Sequence, residues 1–214
     1  MISVKRTPEP KVLRLNKKTW LKAIRSAKSK SDVQKAEAKY RHPSVKSALI
    51  DMFHGKCAYC ESFILHIDYG DIEHFRPKSQ TRFRHLIFNW SNLLLSCGIC
   101  NGSEYKGVKF PDEASGGPII NPCVDDPKQH FEFVYDPVAR VATVICKSRR
   151  GEITRDLLGL NRPSLREHRS KLLNKLYVLA ILSNDHAEAV ALLNEAKNST
   201  SEFSAFAHAL NVTI

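Results

Sequence analysis

Cys57-Ala-Tyr-Cys60 and Cys97-Gly-Ile-Cys100 are two C-x2-C pairs forty residues apart. Each pair can form a tight knuckle whose thiolates sit about 2.3 Å from one ion, and two knuckles close a tetrahedron around zinc. Four thiolates saturate such an ion and leave no position for water or substrate, so a zinc here builds rather than catalyses. Between the pairs run Asp71-Ile-Glu-His-Phe-Arg-Pro-Lys78 and Asn89-Trp-Ser-Asn-Leu93, and Asn101 directly follows the last cysteine. Closing the zinc loop draws Glu73, His74 and Asn101 toward one place. Phosphodiester hydrolysis can use all three types. A hard divalent cation held by a carboxylate and an amide oxygen neutralises developing charge, and a neutral histidine can take the proton from an attacking water. Arg76 and Lys78, around the stiff Pro77, suit phosphate oxygens. Side chains alternate along a strand, so Glu73 and His74 can serve one site only through a local bulge or twist.

The elements that must hold these residues read as follows. Residues 1–12, with Pro8 and Pro10, suggest an extended arm. Trp20, Leu21 and Ile24 recur at helical spacing over Lys17–Lys28. Ser31-Asp32 resembles a cap before a second helix running to Arg41, and a third helix follows Pro43 with Val45, Leu49, Ile50 and Phe53 on one face. Phe63–Ile67, Ile72–Phe75 and Asn92–Ser96 read as short strands, and Phe131–Tyr135 with Arg140–Cys146 as a hairpin turning at Asp136-Pro137. After Gly151 the chain reads as helical. Ser164-Leu-Arg-Glu167 has the capping-box pattern before a leucine-rich helix.

Composition sets the class. A hydrophobic share of 43% over 214 residues describes a folded globular protein. No apolar run approaches the roughly 20 residues of a membrane helix, and no secretory signal opens the chain, which predicts a cytoplasmic protein with reduced thiols. Cys123 and Cys146 stand apart from the pairs and read as small buried hydrophobes. Net charge is +11, and residues 1–50 carry 14 Lys and Arg against three acids, so the whole excess lies in the first quarter. Such a segment suits a polyanion surface, a docking face for an acidic partner, or a merely solvated face.

Together Cys57-Ala-Tyr-Cys60, Ile72-Glu-His-Phe-Arg-Pro-Lys78, Trp90-Ser-Asn-Leu93 and Cys97-Gly-Ile-Cys-Asn101 resemble the HNH endonucleases with a ββα-metal core, in the variant bracketed by zinc knuckles. Lys109-Phe-Pro111, Ile120-Asn-Pro122, Asp126-Pro127 and Leu158-Gly-Leu-Asn161 extend the resemblance, more loosely, to the PtuB subfamily of the Septu antiphage system. The resemblance implies an α+β fold, with a zinc-bracketed ββα core between helical N-terminal and C-terminal extensions. The expected segments are 1–56 (basic helical), 57–111 (HNH core with the four-cysteine site), 112–150 (loop and hairpin) and 151–214 (helical). It implies that His74 is the general base, that Asn92 holds the loop around it, and that Glu73 and Asn101 ligate Mg²⁺ or Mn²⁺. Cys57, Cys60, Cys97 and Cys100 are then ligands of structural Zn²⁺. DNA would be the substrate, with Arg76, Lys78 and Lys106 on the nucleic acid. Many members place a lysine three residues after the third motif letter, whereas Lys106 is five beyond Asn101. An ATPase subunit resembling PtuA is the implied partner, and no membrane is. The chain carries no phosphate-binding Gly-rich loop of its own, and its leucine-rich C-terminal helices are either a second core or a docking surface. A zinc-stabilised nucleic-acid or protein adaptor with an inert pocket is the alternative. His130 is expected to close the fold by a hydrogen bond. His85, in the basic loop Arg82-Phe-Arg-His85, is open between DNA contact and solvation.

Overall fold

In the computed structural model, which describes residues 1–183 and 186–210, the protein is α+β, with eight α-helices and two two-stranded antiparallel sheets among those residues. The chain forms two compact units.

One unit comprises Val4–Ala58 and Ile64–Phe110. It contains α1 (Lys11–Ser26), α2 (Lys30–Glu37), α3 (Pro43–Phe53), β1 (Asp71–His74), β2 (Leu93–Ser96) and α4 (Gly98–Asn101). The helix α1 starts at Lys11, earlier than its periodicity suggested, because Pro10 precedes it with an extended backbone and its carbonyl accepts the first turn's amides. The cap of α2 is Ser29, not Ser31: its hydroxyl accepts from the Asp32 amide. Pro43 sits in the first turn of α3, where its missing N–H costs nothing. Val45, Leu49, Met52 and Phe53 are buried there, and α3 packs on β2 with its three buried leucines, Leu93, Leu94 and Leu95. Trp20 of α1 meets Phe88 edge-on at 5.2 Å. The expected strand Phe63–Ile67 is absent. The backbone instead turns at Ile64, whose carbonyl accepts from Ile67 and Asp68, since β1 finds its ladder partner in β2.

The second unit comprises Met1–Ser3, Tyr59–Phe63 and the chain from Pro111 onward. The strands β3 (Phe131–Asp136) and β4 (Val141–Cys146) form the expected hairpin. Around it lie α5 (Arg149–Leu157), α6 (Pro163–Leu182), α7 (Ala187–Lys197) and α8 (Ser204–Ala209), with α6 and α5 against β4 and α8 against β3. The C-terminal helices therefore build a second core, with Phe131, Val144, Leu165, Leu173 and Phe206 buried. The capping box does not form: Pro163 takes the first helical position of α6, Arg162 precedes it, and no side chain caps the end. Arg169 is buried within this core, donating to the carbonyls of Ala142 and Leu160 and lying 4.3 Å over the Phe206 ring. Cys123 and Cys146 are half-buried rather than core residues.

Candidate active site

Strand alternation places Asp71 and Glu73 on one face of β1 and Ile72 and His74 on the other. The pairing with β2 is regular, Asp71 opposite Ser96 through His74 opposite Leu93. No bulge interrupts the ladder at Glu73 and His74, so the twist of the strand end is what can bring both to one site.

On the first face two polar groups close over the strand. Asn101, at the end of α4, donates from Nδ2 to Asp71 Oδ2 at 2.9 Å, and its own amide oxygen accepts no hydrogen bond among the described residues. Lys106 is fully buried; its ammonium pairs with the Glu73 carboxylate and donates to the His74 carbonyl at 3.1 Å. This corrects the expectation for Lys106: an ammonium buried and shared in that way presents nothing to a nucleic acid. Asp71 is the residue that the motif reading passed over. Its signal was the Asp-x-Glu spacing, which puts two carboxylates on one strand face. Asp71, Glu73 and the Asn101 oxygen are all hard donors, the set that Mg²⁺ or Mn²⁺ takes.

The other face belongs to His74. Its ring is 6% exposed, stands edge-on to Tyr40 at 4.5 Å, and is hydrogen-bonded through Nε2 to the Ile87 carbonyl at 3.0 Å. A carbonyl only accepts, so Nε2 carries the hydrogen and Nδ1 is left with a lone pair. Burial pushes the pKa of His74 down to about 4, with the nearby Lys78 and Lys106 adding to the push and the Ile87 bond partly opposing it. The imidazole is neutral at pH 7. Asn92 fixes the turn beside it: its side chain accepts from the Arg76 amide at 2.8 Å and donates to the Arg76 carbonyl at 3.0 Å. The turn bearing Asn92 is itself held by the N-terminal segment. Arg6 donates to the carbonyls of Trp90 and Leu93, and the Trp90 indole donates to Thr7. The expected arm is thus tied down at Arg6 and Thr7.

The four knuckle cysteines converge, with all four sulfurs within 4.8 Å of one another. The Cys100 amide donates to Cys97 Sγ at 3.4 Å, and the Ala58 amide to the Leu95 carbonyl at 2.8 Å, which seats both knuckles on the ββα element. Donor type, number and closeness fit a structural zinc ion. Among the described residues no other three His, Cys, Asp or Glu side chains converge in this way.

Arg76 is exposed, its guanidinium near the rings of Phe75 and Phe110. Lys78 is engaged by Glu37 at 3.2 Å. His85 is exposed in the 3-10 turn Thr81–Leu86. His130 is hydrogen-bonded to Ser148, the cap of α5, at 2.6 Å, in keeping with a fold-closing role.

Residues 57–107 match the HNH endonuclease family model. The Septu protein PtuA of Bacillus mycoides (strain KBAB4) is 29% identical over 155 residues, covering 61% of this chain and 21% of that protein. The Septu protein PtuB of Bacillus thuringiensis is 37% identical over 131 residues, 60% of this chain and 46% of that protein. The match to the Septu protein PtuB of Bacillus mycoides (strain KBAB4) is 35% over 216 aligned residues, 86% of this chain and 72% of that protein. A chain that aligns so extensively, and has an HNH domain seated on a four-cysteine cluster, belongs to the PtuB family of HNH endonuclease-domain proteins.

Proposed function

We propose that the protein is a metal-dependent endonuclease that hydrolyses DNA phosphodiester bonds, acting as the nuclease effector of an antiphage defence complex with an ATPase partner. The observation that carries this reading is the state of His74: buried, neutral, one nitrogen committed to a carbonyl and the other a free lone pair. Nδ1 takes the proton from the attacking water, and Asn92 keeps the neighbouring backbone at Arg76 in register while it does so. Glu73 and the Asn101 oxygen would hold the divalent cation, with Asp71 fixing the Asn101 amide. That ion, when bound, supplies the positive charge that offsets the charge gathering on the phosphate. Arg76 and Lys78 orient the phosphate through charge-assisted hydrogen bonds. Zinc on the four cysteines holds β2 and α4 in place.

The test is cleavage of plasmid DNA by the protein co-expressed with the ATPase, with Mg²⁺ or Mn²⁺ and with EDTA as control. His74→Ala should lower the rate by about 100- to 10,000-fold, the usual weight of a general base, while zinc content and the folded circular dichroism signal are unchanged. Undiminished cleavage by that variant would remove His74 from the chemistry. The alternative reading, an adaptor with an inert pocket, has one observation on its side: the Lys106 ammonium already neutralises Glu73. Absence of any metal-dependent cleavage by the wild-type complex would favour it.

A further inference from the structure

Beside the catalytic face lies a charged cleft of which the chemistry above uses only Lys78. It has a volume of about 500 Å³ and its lining includes Lys28, Lys30, Lys78, Thr81 and Arg84; Glu37 is the one acid in its wall. Glu37 is also one of only three acids in the first 50 residues. It divides its carboxylate between two cations. Oε2 lies 3.2 Å from Lys78, and Oε1 takes Arg84 through Nε at 3.2 Å and a terminal nitrogen at 2.9 Å. Lys28 and Lys30 form no ion pair among the described residues. One oxygen on a lysine and another on an arginine fork is how a phosphate is gripped. The cleft also adjoins the proposed base, for Lys78 and Glu37 both act on the charge of the His74 ring.

The geometry points to this cleft as the seat of a nucleic-acid backbone phosphate next to the point of cutting, with Glu37 as a built-in stand-in that the phosphate must displace. The inference rests on the nuclease reading and names where that substrate is held. Ion pairs whose cations are a third or more open to solvent are individually weak, so a phosphate carrying more charge, and releasing counterions as it binds, can take the seat. Glu37 thereby sets a threshold: Lys78 and Arg84 are neutralised until a polyanion arrives, which lowers the affinity for stray anions.

Binding is measured on the full chain by fluorescence anisotropy with a labelled DNA duplex, in EDTA so that nothing is cut, between 50 and 200 mM salt on the usual scale of such titrations. Glu37→Gln is expected to tighten binding about three- to tenfold, the weight of two exposed ion pairs. Lys78→Ala combined with Arg84→Ala should flatten the log–log salt slope by about 0.9, the value for one lost phosphate. In that double variant Glu37→Gln should no longer matter. A gain from Glu37→Gln that persists without Lys78 and Arg84 would be a general charge effect and would overturn the seat. So would a Glu37→Gln protein that melts lower and binds no tighter, since Glu37 would then be only a fastener between α2 and the Thr81–Leu86 turn. Failure of wild type and Glu37→Gln alike to bind DNA would overturn it too. Cleavage by wild type and His74→Ala is scored separately, so loss of the nuclease reading and loss of the seat give different patterns.

Discussion

Asp71 shows what a residue-scale reading of the motif could and could not reach. The letters Glu73-His74 drew attention because a carboxylate beside an imidazole suggests chemistry. Asp71, two positions earlier, carries no such cue until a strand is assumed, and then the period of two puts it beside Glu73. In the structure it holds the Asn101 amide by its nitrogen, which leaves the amide oxygen as a potential ligand. Partners of this kind typically change metal affinity 10- to 100-fold when removed. Asp71→Ala should therefore weaken Mn²⁺ binding by about that factor, read directly by titration calorimetry or by the electron spin resonance of free Mn²⁺. Unchanged affinity would leave Asn101 oriented by the fold alone. Lys106 departs from its expected place on the nucleic acid for a related reason: the resemblance supplies a lysine after the third motif letter but not its burial. Burial, which decides its role, is a property of the folded loop and not of the local letters.

At the scale of elements, the strongest signals were covalent or periodic. Two C-x2-C pairs fixed the closure of the loop, and alternation in Phe131–Cys146 gave the hairpin. The short strands were harder. Phe63–Ile67 has the composition of a strand, but a strand exists only with a partner, and β1 pairs with β2. Helix starts differ by one or two residues from expectation, Ser29 capping α2 in place of Ser31 and Pro163 opening α6 ahead of Ser164, because so small a shift depends on where packing pulls the helix. The ββα element is small, with four-residue strands and a four-residue helix. Elements of that size rarely stand without help. Zinc would supply it, since metal binding in small zinc domains contributes on the order of 10 kcal/mol to folding. Stripping zinc with a strong chelator at neutral pH should abolish the cooperative melting of this element and, with it, DNA cleavage; restoring Zn²⁺ alone should recover the melt but not the cleavage, which needs the second ion. A melt indifferent to chelation would assign the cysteine cluster no structural ion.

For the whole molecule the uneven charge and the second core divide the labour. Basic residues are concentrated in the first 50 positions, and α1 to α3 are packed in the unit that carries the ββα element, which suits a polyanion. The other unit buries a core of its own between hairpin and helices, which answers in part why so many leucines follow Gly151. Of its exposed apolar residues, five lie on two helices that pack together: Val178, Ile181 and Leu182 on α6, and Val190 and Leu192 on α7, each between 42 and 49% exposed. Single exposed apolar residues are ordinary, whereas several on neighbouring helices can serve as an interface. If the proposed ATPase docks there, deleting the helices is the wrong test, because Leu165, Leu173 and Leu176 of α6 are core and their loss would unfold the unit. Charge on the outer face is the better probe. Val178→Asp with Ile181→Asp should leave the melting temperature close to that of wild type and abolish co-elution with the ATPase on size exclusion. A double variant that still co-elutes would move the interface away from α6, to the basic helices at the other end of the sequence, where high salt rather than an aspartate should then dissolve the complex.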